Sequence, residues 1–416
     1  MTARFLQIHT LTSYPASLLN RDDVGFAKRV PFGGAVRTRI SSQCLKRHWR
    51  TAEDENALGR IELGGDLVQM SVRSRRTFER FVYEPLKADG IEPAFARAAT
   101  EEILRAVLPK GKKRKNESVE ASDEGNGAEE TPLRTEQVTV IGRPEVEYLL
   151  SIARRIVGGA KDEKAVRKAA EGLSKGDLKK NLQALVRGAG IDAALFGRMT
   201  TGDIFARCDA AIHVAHAFTV HDGQFETDYF SAIDELQGPE ETGSGHINTS
   251  ELSPGLFYGY IVVDMPLLVS NLEGCGRKDW ESADRALAAE VIRRLIHLVA
   301  TVSPGAKLGA TAPYAHASMV LVEAGARQPR SLANAFLRPV PLRRMDRCCV
   351  NGYDVLKGAY AALADYLSEH DQMYGRHEER QIAVQNPLEQ LLAVCGERQH
   401  LDGLAAWAAA RIRGQE

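Results

Sequence analysis

The stretch Ala35–Arg50, AVRTRISSQCLKRHWR, changes its period halfway along. Over Ala35–Ile40 the side chains alternate, with Val36, Thr38 and Ile40 on one face of an extended strand and Arg37 and Arg39 on the other. Ser41 and Ser42 follow, both suited to capping a helix, and the period becomes helical. Gln43, Lys46, Arg47 and Arg50 then fall on one stripe, while Leu45, Trp49 and Ala52 form a separate apolar stripe. A strand running straight into a helix, each with a basic face, predicts an α+β domain that sets its cations side by side.

Working outward, Arg4–Leu11 (RFLQIHTL) also alternates, with Leu6 and Ile8 on one side and Gln7 and His9 on the other. That pattern predicts a half-buried strand with one polar face. The polar loop NRDDVGFAKRVPFGG (Asn20–Gly34) lies between the two strands and ends in Pro31 and Gly33-Gly34 turn chemistry. Further strands are expected at Ala211–Val220, Gly255–Met265 and Ser318–Glu323, and helices at Arg285–Val302, Asp354–Ser368 and Asn386–Arg413. Strand, helix, strand, strand, helix, strand with large insertions predicts a ferredoxin-like or RNA-recognition-motif core. Residues 58–195 read as mostly helical, over Arg75–Glu84, Glu92–Val107, Pro144–Val157 and Glu163–Ala189. Lys110–Glu136, which opens KGKKRK and turns acidic, interrupts them and is expected to be disordered. Its basic run either touches nucleic-acid backbone or is simply solvated. The 34 residues between Val220 and Gly255 include Tyr229 and Phe230 and are expected to form a functional arm.

At 416 residues, with 44% hydrophobic and 26% charged residues, the chain has the makings of two or three globular domains. Its net charge of −1 argues against a uniformly basic nucleic-acid coat. The charge is nevertheless segregated. Residues 1–50 hold nine Lys or Arg against Asp22 and Asp23, whereas residues 208–276 hold eleven Asp or Glu and no Lys or Arg. Six cysteines, among them the adjacent Cys348-Cys349, are too few for a disulfide framework. The N-terminus lacks the apolar core of a signal peptide, and Arg293-Arg294 interrupt the most apolar helix. A soluble, cytoplasmic protein without membrane contact is expected.

The block SLLNRDDVGFAKRVPFGGAVRTRISSQCLKRHWR (Ser17–Arg50) resembles the N-terminus of the CasC family, the repeated backbone subunit of the type I-E CRISPR Cascade complex. The resemblance resumes at GRMTTG (Gly197–Gly202), AAIHVAHAFTVH (Ala210–His221) and DYFSAIDELQ (Asp228–Gln237). It continues through SGHINTSELSPGLFYGY (Ser244–Tyr260), VSPGAK (Val302–Lys307) and RSLANAF (Arg330–Phe336), covering roughly half the chain in order. It implies an RNA-recognition-like palm over 1–57, 196–218 and 257–350, a helical fingers insertion over 58–195, a β-hairpin thumb over 219–256 and a C-terminal helical segment over 351–416. It further implies copies stacked head to tail along one CRISPR RNA, other Cascade subunits as partners, and a guide left exposed for pairing with a target DNA strand.

On this resemblance Asn20, Arg21, Lys28, Ser41, Gln43, Lys46 and Arg50 look like the set that binds the RNA backbone, beside Arg37 and Arg39. Met199 looks like an apolar wedge between stacked bases, and Tyr229 and Phe230 lie in the thumb. Backbone binding needs cations and hydroxyl or amide donors on a preorganised surface, which this set supplies. The chain departs from the family's basic pattern at Ala35-Val36 and at Leu308–Ala310, just after Lys307.

Other readings use some of the same residues. Asp22 and Asp23 suggest a metal-dependent backbone endoribonuclease of a type III-like effector. Adjacent aspartates give poor geometry for one ion, however, and ion pairing with Arg21, Arg29 or a neighbouring subunit is the stronger reading. His213 and His216 fall on opposite faces of a strand, so with His221 they make no zinc site. SPGAKLGA (Ser303–Ala310) lacks the Lys-Ser or Lys-Thr of a phosphate loop, which leaves Lys307 as an RNA contact. Tyr258 and Tyr260 fit either base stacking or a core strand, and Met199 taken alone fits a core. A free-standing RNA regulator would need base-reading aromatics on the basic face, which are missing. The expectation is an RNA-binding protein with no enzymatic activity, cofactor or metal.

Overall fold

The computed structural model describes residues 3–108, 133–172, 175–185, 187–198, 205, 207–232, 246–342 and 354–414. The chain forms two compact units. One comprises Met1–Ile61, Ile212–Pro266 and Asp284–Glu416, and the other Glu62–Ala211 with Leu267–Ala283. Among the described residues no helix is long and apolar enough to cross a membrane.

The first unit is mixed α+β. Its sheet strands are β1 (Phe5–Tyr14), β2 (Arg29–Phe32), β3 (Ala35–Ile40), β4 (Ile212–Val214), β5 (Ala217–Thr219), β6 (Gly255–Asp264), β7 (Met319–Gly325) and β8 (Glu379–Val384). They lie in the order β8-β7-β1-β6-β5-β3-β2, with β4 also on β6, and every pairing is antiparallel. Strand β1 is central, with Phe5 opposite Asp264 on one side and Gly325 on the other. Its longer helices are α1 (Ser42–Arg50), α2 (Ala286–Thr301), α3 (Val355–Tyr374), α4 (Glu389–Cys395) and α5 (Leu401–Arg413). A separate two-stranded hairpin, Glu226–Ala232 with His246–Leu252, occupies the expected arm.

The polar face expected of β1 is buried: Gln7 is 2% exposed and His9 0%. The even-numbered residues Thr10, Thr12 and Tyr14 line a small void with Leu45 and Trp49 of α1 and Val299 of α2. On the opposite face, Leu11 shares a core with Tyr258, Phe336 and, from α3, Tyr360, Leu363 and Leu367. A second helical layer therefore covers the side that alternation marks as polar. Its polar groups are satisfied within the core, as buried polar groups must be. The Gln7 side-chain oxygen accepts from Tyr260 Oη and Arg330 N, both at 2.8 Å. His9 Nδ1 accepts from Tyr258 Oη at 2.9 Å, and Nε2 donates to Glu323 at 3.1 Å. Glu323 also receives Arg330 Nη1 and Arg380 Nε, each at 2.6 Å. Burial alone would push the Glu323 carboxyl up, but His9 and Arg330 hold it well below the usual carboxylate range. Tyr258, 1% exposed, belongs to this core.

The second unit is largely helical, around Phe78, Leu86, Ile103, Leu149 and Ile152. Pro93–Val107 and Arg143–Val157 form as expected. The single helix expected over Glu163–Ala189 is divided into Glu163–Glu171 and Lys175–Gln183, the first ending at Gly172. A ladder of Ser71–Ser74 with Thr139–Gly142 was not signalled by periodicity. Of the stretch expected to be disordered, 110–132 lies outside the described residues, but 133–136 contradicts that expectation at its end. Leu133 is buried, and Thr135 N donates to Arg75 O at 2.9 Å while Arg75 Nε donates to Thr135 O at 3.0 Å. Burial pushes the Cys208 thiol up to about 11, and in the first unit Cys395 up to about 12, so both stay protonated near neutrality. The Cys348-Cys349 pair lies outside the described residues.

Candidate nucleic-acid interface

The basic surface is assembled around the loop between β1 and β2. Asp22 Oδ1 accepts from three successive backbone donors, Val24 N at 3.1 Å, Gly25 N at 2.8 Å and Phe26 N at 2.9 Å. Desolvation opposes ionisation of Asp22, but these N–H groups and Lys28 outweigh it and hold the carboxyl below its ordinary value. Asp22 N donates to Phe26 O, and Lys28 N to Asn20 O at 3.0 Å, so the loop is closed at its tip and its base. This turn delivers Lys28 to the strand that precedes the cationic helix.

Helix α1 begins as its sequence predicts. Ser41 is the N-cap, and its hydroxyl oxygen accepts from Cys44 N at 3.3 Å. Leu45 and Trp49 are buried, while Gln43 and Arg47 are exposed and Lys46 and Arg50 are half-buried. The α1 stripe thus faces outward. Arg39 extends it from the sheet: Nε donates to Arg29 O and Nη1 to His216 Nδ1, both at 3.1 Å. Desolvation, then Arg39 and Lys28, hold the His216 imidazole below its ordinary value, so it stays a neutral acceptor. Lys28 and Arg47 likewise act on the Cys44 thiol, which burial raises. Lys28, Arg39, Arg47 and His216 therefore share one neighbourhood. His216 and Arg47 were not among the contacts expected from the sequence. The Arg39–His216 contact depends on the Arg39–Phe218 pairing of β3 with β5, which no local pattern encodes.

Several expected contacts have other work. Arg37 is fully buried, which contradicts a role in gripping RNA. Its Nε donates to Phe32 O at 3.2 Å, Nη1 to Thr219 O at 3.0 Å and Nη2 to Phe336 O at 2.9 Å. Three of the blocks that carry the resemblance therefore meet at one guanidinium. The Asn20 side-chain oxygen accepts from Ser41 N at 2.9 Å, so Asn20 and Ser41 set the start of α1. Arg21 and Asp23 are exposed. Lys307 is half-buried and lines a cavity of about 480 Å³ with Leu308–Thr311 and with Asp228, Ser250 and Leu252 of the hairpin. Tyr229 is 61% exposed, whereas the Phe230 side chain and Met199 lie outside the described residues.

The residue before Met199 is firmly placed within its own unit. Arg198 Nη1 meets Glu145 Oε2 at 2.6 Å with both side chains buried, and Arg198 N donates to Cys208 O at 2.8 Å. Two of the three histidines, His216 and His221, have separate partners. His221 Nδ1 donates to Asp222 O at 2.7 Å and its Nε2 accepts from Leu256 N at 3.1 Å, while His216 meets Arg39.

Fold and surface together define a mixed α+β protein with an antiparallel sheet and a preorganised cationic face. The chain belongs to the CT1975-like protein family, whose match spans residues 6–407. No curated protein matches it. Among solved structures it is similar to a chain of a "CRISPR RNA-guided surveillance complex, pre-nicking", with a TM-score of 0.74 and 28% identity over 97% of this chain and 100% of that one. A chain of a second "CRISPR RNA-guided surveillance complex" shares the fold, with a TM-score of 0.62 and 22% identity over 97% and 99% of the two chains.

Proposed function

We propose that this protein is a CRISPR RNA-binding backbone subunit of a type I-E Cascade complex, acting in the cytoplasm. Copies oligomerise head to tail along the guide and leave its bases open to a target DNA strand, beside other Cascade subunits. The observation that carries this reading is the similarity, over essentially the full length of both chains, to a component of an RNA-guided surveillance complex. The cationic face supports it: Lys28, Arg39 and the α1 stripe suit a phosphodiester backbone, and sequence reading is left to base pairing. The order β7-β1-β6-β4/β5 within the sheet fits an RNA-recognition-like palm. The hairpin fits a thumb, and the helical unit over 62–211 fits the fingers.

The chain acts as a binder rather than a nuclease. One oxygen of Asp22 is already engaged by three backbone N–H groups, which supports a loop-shaping role for that side chain. Native mass spectrometry with guides of increasing length tests both points. We expect the bound mass to rise in steps of one subunit for each fixed increment of guide, with complementary RNA and Mg²⁺ leaving the target intact. One subunit bound whatever the guide length would overturn the backbone role, and regularly spaced cleavage abolished by Asp23→Ala would overturn the binding-only reading.

A further inference from the structure

Glu251 lies on the second strand of the hairpin and is 7% exposed, yet the partners of its carboxylate belong to another segment. Oε1 accepts from Ala27 N at 3.0 Å, and Oε2 is paired with the Arg29 guanidinium. That guanidinium lies 3.8 Å from the ring centroid of Phe225, one residue before the first hairpin strand. Arg29 therefore joins both roots of the hairpin to the end of the loop that carries Lys28. Two residues beyond Glu251, Ser253 N donates to Ser17 O at 2.8 Å and its hydroxyl meets that of Thr38 at 2.6 Å. On the other root Gly223 N donates to Val36 O at 2.7 Å. The ladder Glu226–Leu252 to Ala232–His246 closes through its own backbone and needs no carboxylate at Glu251. An acid buried at the foot of a solvent-facing hairpin is costly unless it is paired and hydrogen-bonded, and here its carboxylate meets Ala27 of the loop and Arg29 at the start of β2.

We propose that Glu251 is a positioning residue that couples the hairpin to the Lys28 loop, so that seating a phosphodiester on the loop and orienting the hairpin become one event. The coupling rests on the guide-binding reading above, with the next copy of this chain as the hairpin's partner. Coupling of this kind is reciprocal: whatever fixes the hairpin tightens the loop on RNA, and RNA on the loop presents the hairpin correctly. Assembly along a guide then becomes cooperative through a contact that touches neither the RNA nor the neighbouring copy.

The test uses the full chain with Glu251→Gln, which keeps an acceptor for Ala27 N and removes the charge facing Arg29. Arg29→Met is the second variant and keeps the stem against Phe225. Binding is measured on a guide long enough for one copy and on one long enough for several. The expected result is a loss of about threefold or less on the short guide. The per-copy advantage of the long guide should fall about tenfold, equivalent to about 1.4 kcal/mol. A merely structural role would lower the active fraction equally on both guides, and an unchanged ratio in both variants would overturn the proposal. Hydrogen exchange on the unliganded protein judges the coupling without RNA. Glu251→Gln should raise exchange in residues 22–27 and in the hairpin together, and a rise confined to Ala27 would overturn it. If the wild type binds neither guide while exchange still rises in both segments, the functional reading fails and the mechanical coupling stands.

Discussion

Arg37 and Lys28 are nine residues apart in a basic segment, yet they serve different ends, and experiment can separate them. Arg37 donates to three backbone carbonyls from a buried position, and each acceptor left without a donor costs about 1–3 kcal/mol. Arg37→Met should therefore destabilise the fold by roughly 3 kcal/mol or more, read as a lower urea midpoint. It should leave the salt dependence of guide binding unchanged in the fraction that remains folded. Lys28→Ala should do the reverse, with little change in stability and a log–log salt slope shallower by about one unit for the lost phosphate contact. If Arg37→Met changes the slope, or Lys28→Ala does not, the assignment of these two cations is wrong. Alternation placed Arg37 and Arg39 on one side of a strand. What it lacked was that Phe336, some 300 residues away, roofs over Arg37 while Arg39 stays at the edge beside His216.

Elements defined by local chemistry were readable in advance, whereas those defined by distant partners were not. The cap at Ser41, the apolar stripe of α1 and the continuous strand β6 follow from short-range rules, and all three formed. Strand β8 has no strong alternation of its own and forms because the β7 edge offers unpaired donors and acceptors to it. The turn before β3 is a stricter case. Gly33 has φ +63°, and a Cβ there would lie 1.6 Å from Leu337 O, so Gly33 serves a backbone approach that no turn rule reveals. Gly33→Ala should force the turn away from the segment around Leu337 and destabilise the fold, whereas Gly34→Ala, with open space at its Cβ, should suffer only from its positive φ. Comparable thermal midpoints for the two variants would contradict that account.

At the scale of the whole molecule, buried titratable groups give stability a pH dependence. Burial holds His9 and His221 below the ordinary histidine value of 6.5, so the unfolded chain takes up protons that the folded chain refuses. Their contribution is complete above 6.5 and is lost as the pH falls, by at most about 1.4 kcal/mol per pH unit for each group. Glu323 acts in a different window: its depressed carboxyl stabilises the fold above the ordinary value of 4.5, and that contribution is lost on further acidification. The urea midpoint should therefore drop between pH 7.5 and 5.5, and His9→Asn should flatten part of the drop; a level profile in the wild type would refute the neutral His9. The charge segregation legible from the start also acts at this scale, since the acidic stretch holds Glu251 and the basic one holds Arg29.

The position of β1 in its sheet has a further consequence for synthesis. Phe5–Tyr14 is translated long before its two neighbours, Gly255–Asp264 and Met319–Gly325. At ordinary translation speeds, roughly 15–60 s separate the emergence of the strand from that of its second partner. Most of the helical unit, 62–211, is complete well before then. During that interval an apolar strand with two open edges stays exposed on the nascent chain, where it is a template for pairing with other chains. A strand made long before both of its partners is among the last to be sheltered, so ribosome-associated chaperones, rather than the speed of local folding, should govern how much of this protein reaches its native state.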